Sequence, residues 1–288
     1  MNSHLYTYNK NSTVDKSDIL GRMTMIIHGT RVLFDRITYI LGRTEDEWWN
    51  LDFPGDSFSK ALNKEVKDVW RITSDKKSNR IYKPFTWLGG NWHLNRWGAA
   101  ESLANYIIKI RTCYPNEKIK IVTHSHGGNV VMRALDILSQ KRNKDAYTVD
   151  YVILLGTPHI SIRYNGIRRS LYFTDAGRRM IRKNIYSISS ENDTVQAFWA
   201  DVSEGISKKH LPSDYKSDSY NFVQVEKFYP QKDVGLIGYN PGNDEDWFTK
   251  SGKEGHSDMH SVEMAKIVAK LLNGTHPSSI DELKKPPM

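Results

Sequence analysis

Short apolar runs of strand length alternate with helical patterns along this chain of 288 residues. The strand-like runs occupy residues 23–27, 81–88, 119–124, 149–155, 185–189 and 222–228. Apolar positions three or four residues apart predict helices within residues 57–69, 95–111, 129–138 and 262–272. The run at 149–155 is nearly all apolar, as in a parallel strand covered on both faces. The pattern predicts an α/β fold, a mainly parallel sheet with helices on both faces.

The length fits one domain with insertions, and no repeat or Pro/Ser-rich linker divides the chain. We expect residues 1–20 to form a flexible N-terminal segment, because they are polar. Residues 21–275 are expected to form a single domain with aromatic loop insertions, and residues 276–288 a C-terminal tail.

The composition is polar for an enzyme of this size, with 39% apolar residues and a mean hydropathy of −0.59. No apolar run approaches the ~18 to 20 residues that cross a bilayer, and no secretory signal is visible at the N-terminus. The single cysteine, Cys113, excludes an intramolecular disulfide. We therefore expect synthesis in the cytoplasm. Export by a route that needs no such signal remains an open alternative.

The charge balance is basic, with 41 Lys and Arg against 33 Asp and Glu, a formal charge of +8. A cationic surface favours an anionic partner, such as the head groups of a membrane. The densest basic stretch, residues 163–183, is interpreted as the solvated face of a helix. No nucleic-acid motif is present and aromatic residues do not interleave with this cluster, so we expect no nucleic-acid partner.

The main candidate for chemistry is Ser125, which lies between the strand at 119–124 and the helix at 129–138. Two glycines, Gly127 and Gly128, follow it closely, and a tight strand-to-helix turn accepts only small neighbours. The start of the helix adds backbone N–H groups, that of His126 among them, which can receive a developing oxyanion. The alternative is a chance serine between a buried strand and a helix.

A serine hydroxyl needs a base to take its proton, and the base needs an acid to orient it. Asp193 fits the acid because it lies in a polar turn just after the strand at 185–189, with Glu191 as the alternative. Asp193 could instead cap the following helix. The candidate bases are His256 and His260, just before the last helix, and the alternative is that both are surface or capping residues.

A second oxyanion donor is expected in the loop after an early strand. The strand at 23–27 runs into His28, Gly29 and Thr30. The glycine would let the backbone approach a tetrahedral intermediate, so that the N–H of Thr30, or that of Gly29, pairs with the N–H of His126.

These segments resemble the lipase/esterase branch of the α/β-hydrolase superfamily, including its bacterial members. The residues that carry the resemblance are His28-Gly29-Thr30, the run His124 to Gly128, Leu-Gly-Thr-Pro-His at 155–159, Asp193 and Gly255-His256. The segment at 87–91 (Trp-Leu-Gly-Gly-Asn) with Arg96 resembles them more loosely. One departure is Thr123, which stands where the G-x-S-x-G motif has its first glycine.

The resemblance implies hydrolysis of carboxylic esters, lipid or phospholipid esters among them, through an acyl-enzyme and without a cofactor. The family order of Ser, then Asp or Glu, then His assigns Ser125 as nucleophile, Asp193 as acid and His256 as base. His256 is preferred to His260 because the family's histidine follows a glycine. A bacterial lipase toxin delivered to rival cells and an intracellular esterase both fit.

Two other functions remain open. Thr123 would fit a binding protein that kept the fold and lost catalysis. His124 and His126, with carboxylates, could hold Zn²⁺ in a metal-dependent hydrolase, but the second histidine is expected beyond the turn and off the strand face. The aromatic loops at 47–53 and 239–248 are interpreted either as a lid or acyl-binding rim, or as packing against the sheet edges.

Overall fold

Five parallel strands form the central sheet in the described part of the chain, in the order β1-β4-β5-β8-β10. These strands are β1 (Arg22–Ile27), β4 (Lys118–His124), β5 (Tyr151–Leu155), β8 (Ile185–Ser190) and β10 (Phe222–Phe228). The computed structural model describes residues 22–29, 49, 57–69, 73–75, 80–82, 85–90, 93–164, 167–170, 172, 174–190, 206–208, 222–228, 258–276 and 279–280.

Helices follow the strands in the alternating order expected of an α/β fold. They are α1 (Phe58–Val66), α2 (His93–Cys113), α3 (His126–Ser139), the short α4 (Asp175–Arg178) and α5 (Val262–Leu272). The side chains of Ser57 and Ser261 cap α1 and α5, each accepting a hydrogen bond from a backbone N–H in the first turn. None of the described helices combines the length and the apolar character that crossing a membrane requires.

Alternate residues of the strands supply two separate cores, because successive side chains point to opposite faces of a sheet. Ile121 and Leu154 lie in the core that α2 and α3 cover. Val122 and Ile153 lie in the core beneath α1 and α5. The predicted fold class is therefore confirmed: a parallel sheet with helices on both faces.

Two predictions of local structure are wrong. Residues 81–88 do not form one strand. Among the described residues, β3 (Arg80–Tyr82) pairs with β2 (Thr73–Asp75) alone, and residues 85–90 have no regular structure. The basic stretch at 163–183 is not a helix face. Its described residues contain the end of β6 (His159–Tyr164), β7 (Ile167–Ser170) and one short helix, α4.

After β5 the chain leaves the parallel sheet, and the next strand, β6, belongs to a separate antiparallel sheet. That sheet has the order β7-β6-β9, where β9 is Ile206–Lys208. The chain thus makes a three-stranded insertion at the end of the central sheet that carries Ser125. The positions of the basic residues could not reveal this insertion. Over so few residues, basic side chains that alternate along a strand and basic side chains on one face of a helix give similar sequence patterns.

A buried ion pair fixes the segment after α1 to the centre of the sheet. The Lys120 ammonium on β4 lies 2.7 Å from the Asp68 carboxylate, and the two side chains are 4% and 9% exposed. The same carboxylate accepts a hydrogen bond of 2.6 Å from the Thr24 hydroxyl on β1. Asp68 therefore balances the buried Lys120 ammonium and ties β4 to the neighbouring strand β1.

Asp68→Asn should lower the free energy of unfolding by about 3 kcal/mol, because it leaves the Lys120 ammonium buried without its counter-charge. Denaturant unfolding followed by circular dichroism measures the change. Glu101→Gln, the same chemical change on an exposed helix position, is the control and should alter stability by less than about 0.5 kcal/mol. Equal stabilities of the two variants would contradict this account of the ion pair.

Candidate active site

Ser125 joins β4 to α3 in a backbone conformation that is rare for a residue with a Cβ atom. Its φ and ψ angles are 52° and −136°. Such a conformation costs roughly 1–3 kcal/mol and persists only where the surroundings enforce it. The Ser125 N–H donates to the Leu155 carbonyl at 2.8 Å, and the Ser125 carbonyl accepts from the Gly128 N–H at 3.1 Å. The hydroxyl does not cap α3, although Ser125 holds the N-cap position.

The two glycines after Ser125 are required by close contacts with other segments. A Cβ atom at Gly127 would lie 2.6 Å from the carbonyl oxygens of both Ile27 and His28, at the end of β1. A Cβ atom at Gly128 would lie 2.2 Å from the Thr157 hydroxyl. Any larger residue would therefore push α3 away from the ends of β1 and β5.

Thr123, the departure from the G-x-S-x-G pattern, fits inside the sheet. It lies on β4 between Ile27 of β1 and Leu154 of β5, and it is fully buried. Its hydroxyl donates to the Ile153 carbonyl at 3.2 Å. The threonine side chain is thus a satisfied part of the strand and does not obstruct the turn that follows.

The loop after β1 lies directly against Ser125. A Cβ atom at Gly29 would come within 2.6 Å of the Ser125 Cβ atom and 3.3 Å of its Oγ atom. Only a glycine allows this approach of backbone to hydroxyl. Ser125 itself is 6% exposed, so the hydroxyl lies in a largely covered position next to the Gly29 backbone.

His28 is a buried residue whose ring is fixed by hydrogen bonds. Its Nε2 atom accepts from the Trp87 backbone N–H at 3.3 Å, so the proton of the neutral ring lies on Nδ1. Nδ1 is 2.9 Å from the Gly29 carbonyl, to which it donates. The indole N–H of Trp87 donates to the His28 carbonyl at 2.9 Å. The rings of Trp49 and Trp87 lie against the imidazole, with centroid distances of 4.6 Å and 5.8 Å.

His126, the first residue of α3, has its ring oriented by Asn129. The Asn129 amide nitrogen is 2.9 Å from His126 Nδ1 and 3.1 Å from the Pro158 carbonyl. A carbonyl only accepts, so this atom is the amide donor and His126 Nδ1 accepts from it. The neutral imidazole of His126 therefore carries its proton on Nε2. Sequence reasoning had not singled out Asn129, whose role depends on Pro158, 29 residues away.

The segment before α5 approaches the Ser125 turn. His260 ends a 3₁₀ turn, Asp258–His260, and its ring meets that of His124 edge-on with centroids 5.0 Å apart. His124 immediately precedes Ser125, and Met259 is fully buried in the core beneath α5. The candidate base His260 therefore lies next to the residue before the serine, although its ring packs on another histidine.

The remaining candidates fall in parts of the chain that are not described. Thr30, Glu191, Asp193 and His256 lie outside the described residues, as do both aromatic loops except for Trp49. Of the predicted site residues, the structure brings together Gly29, Ser125 and His126, with His260 nearby.

The histidines around Ser125 bear on the metal-dependent alternative. His124 ends β4 and His126 begins α3, so the two residues belong to different elements. Among the residues that the structure describes, no three or more His, Cys, Asp or Glu side chains are grouped as metal ligands.

The sequence is similar to one known family of domains. The model of the T6SS Tle3 phospholipase effector domain matches residues 96–233, slightly less than half of the 288 residues. The match includes the Ser125 turn and the antiparallel insertion. No curated protein matches the sequence.

One similar solved structure belongs to a Lactobacillus plantarum protein described as a cell surface hydrolase. The sequences are 12% identical, the TM-score is 0.34, and the alignment covers 59% of this chain and 68% of that protein. The matched residues contain the Ser125 turn and the strands β4, β5, β8 and β10 of the parallel sheet. Over residues 96–233, the chain is thus similar to a phospholipase effector domain.

Proposed function

We propose that the chain is a serine hydrolase that cleaves carboxylic esters of lipids through an acyl-enzyme, with phospholipids as substrates. The observation that carries the proposal is the strained backbone of Ser125 at the start of α3, with the Gly29 backbone against its side chain. A serine in such a turn presents its hydroxyl at the end of a sheet, where partners from later strands can reach it.

In the proposed mechanism, the Ser125 oxygen attacks the acyl carbon and His256 takes the hydroxyl proton. The tetrahedral oxyanion lies between the backbone N–H of His126 and that of Thr30 or Gly29. His256 then gives its proton to the departing alcohol, and the acyl group stays on Ser125. Water, deprotonated by the same histidine, releases the acid, while Asp193 orients the imidazole throughout.

The choice of His256 as base gains support from the neighbouring His260. The 3₁₀ turn that ends at His260 packs beside His124, and His256 precedes this turn by two positions in the sequence. The His260 ring is engaged with His124, a partner other than the Ser125 hydroxyl. We therefore assign His256 as the base and keep His260 as the alternative.

Lipid as the substrate is supported by exposed apolar side chains beside the site. In the part of the chain that the structure describes, the exposed large hydrophobic residues are Leu88 at 73%, Leu94 at 65% and Trp97 at 37%. The loop of Leu88 folds back onto α2, because Gly90 packs against Asn95, and the preceding Trp87 contacts His28. We define Leu88, Leu94 and Trp97 as the apolar rim.

The apolar rim suits contact with a phospholipid bilayer, because its side chains can enter the interface while Ser125 remains close by. The net charge of +8 favours an anionic bilayer. The matched family consists of phospholipase effector domains of a type VI secretion system, which supports both a phospholipid substrate and export without a secretory signal.

Ser125→Ala should remove nearly all turnover of a p-nitrophenyl ester, because no other group would form the acyl-enzyme. The same variant should lose labelling by a fluorophosphonate, which reacts with an activated serine. Wild-type turnover in Ser125→Ala would refute the proposal. A wild-type protein that folds but is not labelled would instead indicate a binding protein. Loss of turnover in the presence of a chelator would indicate a metal-dependent enzyme.

His256→Ala should lower kcat by about 10⁴-fold or more, because the serine loses its general base. His260→Ala is the matched control and should retain most of the activity, since its ring packs on His124. Both variants are assayed on the same ester after their folding is checked by circular dichroism. The reverse order of activities would transfer the role of base to His260.

Leu88→Gln combined with Leu94→Gln should reduce hydrolysis of anionic phospholipid vesicles by about tenfold, because the apolar rim loses its affinity for the interface. Turnover of a short, water-soluble ester should remain unchanged, since both side chains are largely exposed to solvent whereas Ser125 is buried. The two assays on one protein preparation separate interface binding from chemistry. Equal losses on vesicles and on the short ester would contradict the assignment of the rim.

A further inference from the structure

We infer that Trp87 is a positioning residue of the oxyanion site: its indole N–H and backbone N–H hold the His28-Gly29 loop against Ser125. The inference rests on the proposed serine hydrolysis. It starts from a contact between residues 59 apart in the sequence, in which both N–H groups of Trp87 donate to His28.

The two donations fix both carbonyl groups of the loop. The indole N–H of Trp87 holds the His28 carbonyl at 2.9 Å. The backbone N–H of Trp87 fixes the His28 tautomer, and Nδ1 in turn holds the Gly29 carbonyl at 2.9 Å. Two successive peptide planes are thereby restrained by one tryptophan.

The orientation of these planes decides where the donors point. The described residues contain no cis peptide, and in a trans peptide the N–H points away from the carbonyl oxygen. Because the His28 carbonyl faces the indole, the Gly29 N–H points away from Trp87. Gly29 itself lies against the Ser125 side chain, where a Cβ atom would meet Ser125 Oγ at 3.3 Å.

The His28 carbonyl, which the indole N–H holds, lies in a crowded and buried position. Gly127 approaches the same His28 carbonyl so closely that a Cβ atom there would lie 2.6 Å from the oxygen. His28 and Trp87 are 1% and 8% exposed, so water does not readily replace the missing donor. Loss of the indole N–H would therefore release the restraint on the His28–Gly29 peptide plane, and rotation of that plane moves the Gly29 N–H away from the oxyanion position.

Trp87→Phe keeps an aromatic ring beside His28 and removes the indole donor. We expect kcat on a short, water-soluble p-nitrophenyl ester to fall about 10- to 100-fold, less than the loss for a deleted oxyanion donor, with KM within twofold. The affinity for an alkyl boronic acid, which forms a tetrahedral adduct with Ser125, should fall by the same factor as kcat/KM. If the role of Trp87 were purely structural, the substitution would lower the stability of the protein, and the losses of kcat/KM and of boronic acid affinity would not be equal.

Tyr186→Phe is the matched control, because it also removes a buried aromatic hydrogen bond, the one from Asn184 to the phenol oxygen at 2.7 Å. Asn184 precedes β8, so this bond lies at the amino end of the sheet, away from Ser125. The control should keep the kcat and boronate affinity of the wild type. A Trp87→Phe protein with the same kcat as Tyr186→Phe would overturn the inference.

If Trp87→Phe does not fold, site-specific replacement of Trp87 by benzothienylalanine removes the N–H and keeps the bicyclic shape. The same linked loss of kcat and boronate affinity is expected, and unchanged values would overturn the inference. Failure of the proposed function itself looks different, because Ser125→Ala would then retain full turnover. If the wild type is active, Ser125→Ala is inactive and the Trp87 variant is fully active, only the positioning role of Trp87 is refuted.

Discussion

The strained backbone of Ser125 depends on how closely three chain segments meet at the carboxyl ends of β1, β4 and β5. Three glycines make that meeting possible. Gly29 lies against Ser125, Gly127 against the carbonyls that end β1, and Gly128 against Thr157 after β5. With no Cβ atoms between them, these segments enforce a conformation that costs roughly 1–3 kcal/mol in isolation. The strain is therefore sustained by packing of backbone on backbone, which also explains why the turn begins a buried helix and not an exposed one.

The central sheet could be predicted from sequence because burial on both faces leaves a simple pattern. Tyr151–Leu155 is apolar throughout, and its alternate residues enter the two cores. The two wrong predictions concern segments that are not strands buried on both faces of the sheet. Residues 81–88 are apolar enough for a strand, but they supply Phe85 and Trp87 to the core and site from an irregular segment. The basic stretch at 163–183 carries too few apolar positions to distinguish a helix from the strands β6 and β7.

The candidate site divides in the same way, between short-range and long-range features. Gly29, Ser125 and His126 could be located from local patterns, because each lies where a strand ends or a helix begins. Contacts between distant segments left no local signal. The hydrogen bonds from Trp87 to His28 span 59 residues, and the rings of His124 and His260 meet across more than a hundred. The loose resemblance of residues 87–91 to lipase-like hydrolases marked the right segment without indicating what Trp87 contacts.

Thr123 shows why backbone geometry is a better guide to this turn than the glycine pattern. The motif glycine two residues before the serine provides space, and here a threonine fills that position with its hydroxyl bonded to the Ile153 carbonyl. A β-branched residue suits the interior of β4, and it leaves the Ser125 conformation intact. The space that the turn needs comes from Gly29, Gly127 and Gly128. A search that demands the first glycine would pass over such a chain, whereas a positive φ at a serine between a buried strand and a helix would find it.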